Sequence, residues 1–246
     1  MNGPLISCIC VTKNHPDLLS KAIKCFKAQT YANKELILLY DESNLPTRDF
    51  LRKNVHNHCI KIFPVNGCFT LGALRNYAVE NSNGDFFCQW DDDDWHNAFR
   101  LAFQYSAIKK NSYSACIIDQ WILFDSLTEK AYLSGKRLWE GSLLCRKDMF
   151  LTKKYENVSR GEDTPLVEYL YHHKLLHLME GLPELYIYNY HGGNTFDREH
   201  FNELFDYGTL MPPAVNLEIK KIMKLKYDVL GTSRLLNTLM RNEFSK

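Results

Sequence analysis

Apolar residues fall along the first part of the chain into short unbroken runs separated by stripes of helical spacing. Leu5 to Val11 is an apolar run of strand length. Pro16 then stands where the first turn of a helix tolerates it, and Leu18, Leu19, Ala22, Ile23 and Phe26 continue one helix face to about Gln29. Glu35 to Tyr40 predicts a second buried strand ending at Asp41-Glu42-Ser43, and Pro46 opens a short charged helix. Ile60 to Phe63 predicts a third strand. Thr70 is placed to cap a helix through Leu71, Leu74, Tyr77 and Ala78, and Gly84 ends it before a central strand at Phe86 to Trp90. Strand and helix thus alternate four times in residues 1–95, the signature of a parallel α/β sheet. Ligands bind such sheets outside the carboxyl ends of the strands, so the polar groups at Thr12, Asp41 and Asp91 are expected to converge.

The second half is less regular. A helix from about Ala98 to Lys110 leads to a strand at Ala115 to Phe124, a turn near Asp125-Ser126 and a strand at Gly141 to Cys145, with mixed or antiparallel pairing expected. Pro165 opens a helix at Leu166 to His173, Leu185 to Tyr190 is a strand running into His191-Gly192-Gly193-Asn194, and the chain from Pro212-Pro213 onward reads as helical. The expected organisation is one domain over 1–211, with a nucleotide-binding half at 1–95 and an acceptor half at 96–211, followed by a helical extension over 212–246. At 246 residues and 45% hydrophobic, the chain is long and apolar enough for a full core.

The chemistry concentrates where the central strand ends in Asp91-Asp92-Asp93-Asp94. Two carboxylates about 5 Å apart repel by ~0.8 kcal/mol in water and ~3 kcal/mol at an effective dielectric of about 20, so four in a row call for compensation. A divalent cation such as manganese or magnesium supplies it, because carboxylate oxygens are hard ligands and these ions leave positions for substrate phosphates. The alternative is a solvated acidic loop, against which Trp90 and Trp95 argue. A net charge of +1 gives no reason to expect nucleic acid as a partner. None of the eight cysteines forms a Cys-x-x-Cys pair and most lie in apolar runs, so they read as buried thiols of a reducing cytoplasm, not as zinc ligands. No leader and no run of about 18 apolar residues is evident, which predicts a soluble, cytoplasmic protein. Neither a Gly-x-Gly-x-x-Gly nor a phosphate-loop signature is present.

Pro4 to Asn14, Glu35 to Ser43, Leu74-Arg75-Asn76-Tyr77-Ala78 and Asp91 to Trp95, taken in order, resemble the family 2 glycosyltransferases of the GT-A fold, with a Rossmann-like mixed central sheet flanked by helices. The resemblance covers roughly residues 4–195. It implies that Asp41 bonds the base of a nucleotide sugar, that Thr12 and Asn14 hold the nucleoside, and that Arg75 lies near the base or diphosphate; Tyr40-Asp41 stands where the family often has an acidic pair. It further implies that Asp93 ligates the metal, with Asp91 on ribose or metal and Asp92 beside the donor. His191 is a third ligand or a phosphate contact by the same reasoning, with a structural histidine as the alternative. Glu162-Asp163 is similar to the acidic pair that supplies the general base of inverting members, Asp163 being preferred; a helix cap before Thr164-Pro165 is the competing role. Trp139-Glu140-Gly141-Ser142 is a candidate acceptor wall.

From Ala214 to Lys246, seven Lys or Arg stand against three acids and accompany Leu217, Ile219, Ile222, Met223, Leu225 and Leu230. Such a face packs on its own domain or rests peripherally on an anionic inner membrane presenting a lipid-linked acceptor. The resulting expectation is an inverting, metal-dependent transferase moving a sugar, with UDP as the expected donor nucleotide, onto a saccharide or lipid-linked saccharide in surface polysaccharide or glycolipid synthesis. The rivals are a sugar nucleotidyltransferase, for which Lys13 alone offers a triphosphate contact, and a non-catalytic nucleotide- or metal-binding relative.

Overall fold

The computed structural model describes residues 3–224 and 228–244. Its first half follows the strand and helix alternation: β1 (Ile6–Thr12), α1 (Pro16–Ala28), β2 (Lys34–Asp41), α2 (Leu45–Asn54), β3 (Ile60–Val65), α3 (Leu71–Glu80) and β4 (Phe86–Gln89). After β5 (Trp95–His96) and α4 (Arg100–Asn111) come β6 (Ala115–Ile118), β7 (Ile122–Asp125), β8 (Lys130–Leu133), β9 (Leu144–Arg146), α5 (Lys147–Thr152) and α6 (Thr164–His172). The chain closes with β10 (Leu176–Met179), β11 (Tyr186–Tyr190), α7 (Arg198–Tyr207), β12 (Thr209–Leu210), α8 (Pro213–Met223) and α9 (Val229–Phe244).

The main sheet runs β10-β6-β9-β4-β1-β2-β3, with β4, β1, β2 and β3 parallel and β9 antiparallel to both its neighbours. Its central strands are buried on both faces, which is why β1 and β2 read as nearly continuous apolar runs. Thr70 and Asn44 cap α3 and α2 by accepting from Ala73 N at 3.1 Å and Thr47 N at 2.9 Å. A second sheet, β12-β8-β7-β11-β5, is built from strands that all follow β4 in the chain.

Several second-half expectations need correction. The single strand expected over Ala115 to Phe124 is two: β6 joins the main sheet and β7 the second, because the chain turns at Asp119-Gln120, where Trp121 N bonds Ser134 Oγ at 3.0 Å. The strand expected from Gly141 begins at Leu144, after a short 3-10 turn at Glu140–Ser142. Helices α5 and α7 and strands β8, β10 and β12 have no counterpart in the sequence reading. Six cysteines are buried, but Cys59 is half-buried and Cys68 is exposed.

The helical extension closes the domain core. Val215, Ile219, Ile222 and Met223 of α8, with Val229, Leu236 and Met240 of α9, are buried in the same apolar cluster as β1 and α1. Ile219, Ile222 and Met223, which a membrane contact would require outward, are therefore occupied; Leu217 remains exposed, and Leu225, Lys226 and Lys246 lie outside the described residues. Among the described residues no helix is long and apolar enough to cross a membrane.

A buried polar link ties the parallel strands together at their start. Glu35 accepts from Ser7 Oγ at 2.7 Å and Asn83 N at 2.6 Å and pairs with Lys61 at 2.7 Å. Burial alone raises a carboxyl pKa, but these donors outweigh it and hold Glu35 below the ordinary glutamate value. Its stabilisation is thus present above about pH 4.3 and is lost as pH falls through the lower folded value. Glu35→Gln is expected to lower unfolding stability by ~1–3 kcal/mol at pH 7. In denaturant titrations the gap from wild type should narrow at pH 3; an equal gap at both values would exclude the charged pairing as its source.

Candidate active site

The carboxyl ends of β1, β2 and β4 open into one cavity of about 880 Å³, whose wall includes Thr12, Asp41, Asp91, Asp93, Asp163 and Trp139. The expected convergence of Thr12, Asp41 and Asp91 is therefore realised. The acid run forms the turn between β4 and β5, and each carboxylate has its own partner. Asp91 pairs with Arg75 Nη2 at 2.8 Å and accepts from the Tyr186 hydroxyl at 3.3 Å; Asp92 accepts from Thr12 Oγ1. Asp93 Oδ2 stands 3.2 Å from His191 Nε2 and accepts from Asn194 Nδ2 at 3.1 Å. Asp94 is buried, accepting from Tyr186 OH at 2.5 Å and Asn189 N at 2.9 Å, so it fastens the turn to β11.

Burial and mutual repulsion push Asp92 and Asp94 well above the ordinary aspartate range, and burial raises Asp91 against the opposing pull of Arg75. The turn carries more negative charge than its neighbours neutralise. A second cation, Arg100, is fully buried behind it, donating to Gln89 O at 3.0 Å and packing 5.4 Å from the Trp90 ring. Trp90 is itself fully buried and donates to Ala22 O at 3.2 Å, which excludes the solvated-loop alternative for the start of the turn.

Arg75 is the hub of the site. Its guanidinium, almost fully buried, reaches Asp91 through Nη2 and both Glu162 and Asp163 through Nη1, the last at 2.9 Å. It lines the cavity where the resemblance puts it, but it presents no free fork to a base or diphosphate, because three carboxylates engage it first. Asn76, next in α3, clamps the loop carrying those acids by bonding Tyr155 O at 2.9 Å and Tyr155 N at 3.0 Å. Gly72 allows the approach: a Cβ there would stand 1.7 Å from Glu156 O.

Asp163 Oδ2 accepts from Arg75 and from Gln89 Nε2 at 3.0 Å, whereas Oδ1 has no hydrogen bond among the described residues. The residue occupies the N-cap position of α6, yet its side chain makes no capping bond, which removes the competing role. Both acids line the cavity, but Glu162 is the more deeply buried of the two, held on Arg75, which leaves Asp163 the more accessible carboxylate.

Asp41 accepts from Ser43 Oγ at 2.6 Å and Ser43 N at 2.9 Å, and these bonds hold its pKa below the usual value. Thr12 spends its hydroxyl on Asp92, and Asn14, with φ of 64°, accepts from Asn44 Nδ2. Among the described residues no three His, Cys, Asp or Glu are gathered as a metal cage. The ligand set expected at Asp91, Asp93 and His191 is thus not assembled: His191 stands on Asp93, while Asp91 is turned to Arg75. What remains fits an ion held by one or two carboxylates and completed by substrate phosphates, the mode these hard cations use. Gln89, Tyr186, Asn189 and Asn194 support the site and were not singled out from the sequence; only their places at strand ends hinted at it.

The mixed sheet flanked by helices is of the GT-A type. The family model for glycosyl transferase family 2 matches residues 7–164, and the chain belongs to that family. It is 32% identical over 114 residues to WfgD of Escherichia coli, a UDP-Glc:alpha-D-GlcNAc-diphosphoundecaprenol beta-1,3-glucosyltransferase, the match covering 46% of this chain and 45% of WfgD. An uncharacterized glycosyltransferase of Rickettsia typhi is 28% identical over 108 residues, covering 44% of this chain and 33% of that protein. The matched segments span less than half the length of these relatives. Among solved structures, S. aureus TarS in complex with UDP-GlcNAc superposes with a TM-score of 0.65 at 15% identity, covering 98% of this chain and 72% of that one. The mannosyltransferase PcManGT from Pyrobaculum calidifontis, in complex with GDP-Man and Mn2+, gives 0.63 at 12% identity over 99% and 76% of the two chains.

Proposed function

We propose that this protein transfers a sugar from a nucleoside diphosphate donor, UDP in the first instance, to a hydroxyl of a saccharide or lipid-linked saccharide acceptor, with inversion. The observation that carries this reading is the meeting in one cavity of the acid turn after β4 with Glu162-Asp163, both tied to Arg75. The donor's base faces Asp41, and its diphosphate faces Asp93 and His191. Asp163 Oδ1 accepts the acceptor's proton as the hydroxyl oxygen attacks the anomeric carbon from the face opposite the leaving diphosphate. Arg75 and Gln89 hold the other oxygen, so the base keeps one orientation. Asp93, beside His191 and with substrate phosphates completing the shell, would hold manganese or magnesium, whose chemistry there is to neutralise charge on the departing nucleotide. Membership of family 2 and the UDP-sugar and GDP-sugar complexes of the structural neighbours support the donor class.

Calorimetric titration with UDP, GDP and dTDP, each with manganese and with excess chelator, tests the donor site. Manganese-dependent binding of one nucleotide is expected, and Asp93→Ala should weaken it at least about tenfold, or ~1.4 kcal/mol. Absence of binding under either condition would move the non-catalytic reading forward. Equal binding by the Asp93 variant would remove that residue from the metal role.

A further inference from the structure

Beyond the acid turn, the cavity carries a second group of charges that the transfer step does not use. In the strand order β2-β1-β4-β9, Asp41 ends β2 and Asp91 follows β4, while the segment Arg137 to Gly141 leads into β9 on the side away from Asp41. Arg137 lines the cavity there, and Arg160 lines it from the loop that carries Asp163. Arg160 lies 5.9 Å over the Phe196 ring, and Phe196 stacks on His200 at 4.3 Å. His200 is close enough to Arg137 that, after burial, this neighbouring charge depresses its pKa. Both guanidinium groups are exposed, and among the described residues neither is ion-paired; the neighbouring Lys136, by contrast, takes Asp119 and Glu180.

Exposed arginines on a surface usually need no ligand. These two flank a cavity at its acceptor end, around an aromatic wall of Trp139 stacked on Trp121 at 4.3 Å and packed on Tyr188 at 4.6 Å. Guanidinium groups match the oxygens of a phosphate, and the half-buried Tyr188 beside Trp139 gives the cavity an aromatic surface for a sugar. Glu140 adjoins this wall and burial raises its pKa, while Asp197 and Glu203 face His200 from its own helix and its N-cap, so the two arginines supply the site's positive charge.

We propose that Arg137 and Arg160, with His200, bind a phosphate group of the acceptor, so that the acceptor class is a phosphate-bearing saccharide. The inference rests on the transferase reading of the cavity. A phosphate joined to the acceptor sugar anchors it beside the rings while a ring hydroxyl is presented to Asp163.

The test is calorimetric binding of glucose 1-phosphate, octyl phosphate and neutral methyl glucoside, in the presence and in the absence of saturating UDP and manganese. Glucose 1-phosphate or octyl phosphate should bind at least about tenfold more tightly than methyl glucoside with UDP present, and Arg137→Gln/Arg160→Gln should abolish that preference. The tighter of the two phosphates separates a phosphorylated glycan from a lipid-linked phosphate on the same cations. UDP binding by the double variant reports that its fold and donor site survive. Loss of phosphate binding on saturation with UDP would place the anion in the donor site and overturn the proposal, as would an unchanged preference in the double variant. Failure of UDP to bind the wild type strikes the donor reading instead, and the comparison of variants without UDP still decides the anion site.

Discussion

Asp163→Asn is expected to slow sugar transfer by about 10²–10⁴-fold while leaving nucleotide affinity within a factor of about two. The substitution is nearly isosteric. The amide oxygen continues to accept from Arg75 and Gln89, which at 2.9 Å and 3.0 Å fix the side chain, and the nitrogen replaces the oxygen that faces the acceptor. What disappears is the lone pair that takes the proton. Because the lost interaction forms in the transition state, the change falls on kcat and kcat/KM together, with KM for the donor little altered. Steady-state kinetics with a radiolabelled donor, paired with calorimetry of the nucleotide, separates the two effects. Transfer within about tenfold of wild type would take Asp163 out of the base role. Glu162→Gln serves as the contrast: that carboxylate is buried on Arg75, so its loss should appear in stability as well as in rate.

The resemblance to family 2 points to the pair Glu162-Asp163, but the deeper burial of Glu162 and the holding of one Asp163 oxygen are legible only in three dimensions. Its partners Arg75 and Gln89 lie 88 and 74 residues away, on α3 and at the end of β4. Local pattern carries the first half well because parallel strands buried on both faces leave unbroken apolar runs, and those runs put Thr12, Asp41 and Asp91 at strand ends where sheet geometry gathers them. The second half resists because its strands are three to five residues long or shorter and pair across the chain, as β11 does with β5 and β7. Asn189 and Asn194 reach the acid turn only through that pairing. The basic tail leaves two alternatives open for a related reason: spacing reveals an apolar face on α8, and only the fold shows that the core of its own domain covers it.

The second large effect belongs to Arg75. Three carboxylates share its guanidinium in a nearly water-free setting, and burial favours proton uptake at both Asp91 and Glu162, with Arg75 the chief opposing influence. Removing one partner of a buried ionic cluster destabilises by ~3–5 kcal/mol, because the remaining charges are left uncompensated. Arg75→Met should therefore lower the thermal midpoint by roughly 6–20 °C at pH 7. Without the guanidinium, Glu162 is expected to titrate higher still in the folded state, which then holds protons the unfolded chain releases. A carboxyl raised in this way loses stability as pH climbs above the unfolded value of about 4.3, so the deficit should be small near pH 4 and largest near neutrality. Arg75→Lys should recover only part of it, since a single ammonium cannot fork between Asp91 on one side and Glu162 with Asp163 on the other. Thermal unfolding of the three proteins from pH 4 to pH 8 gives the comparison. A deficit independent of pH would point to lost packing against Tyr155, whose ring lies 5.8 Å from the guanidinium, in place of the charge.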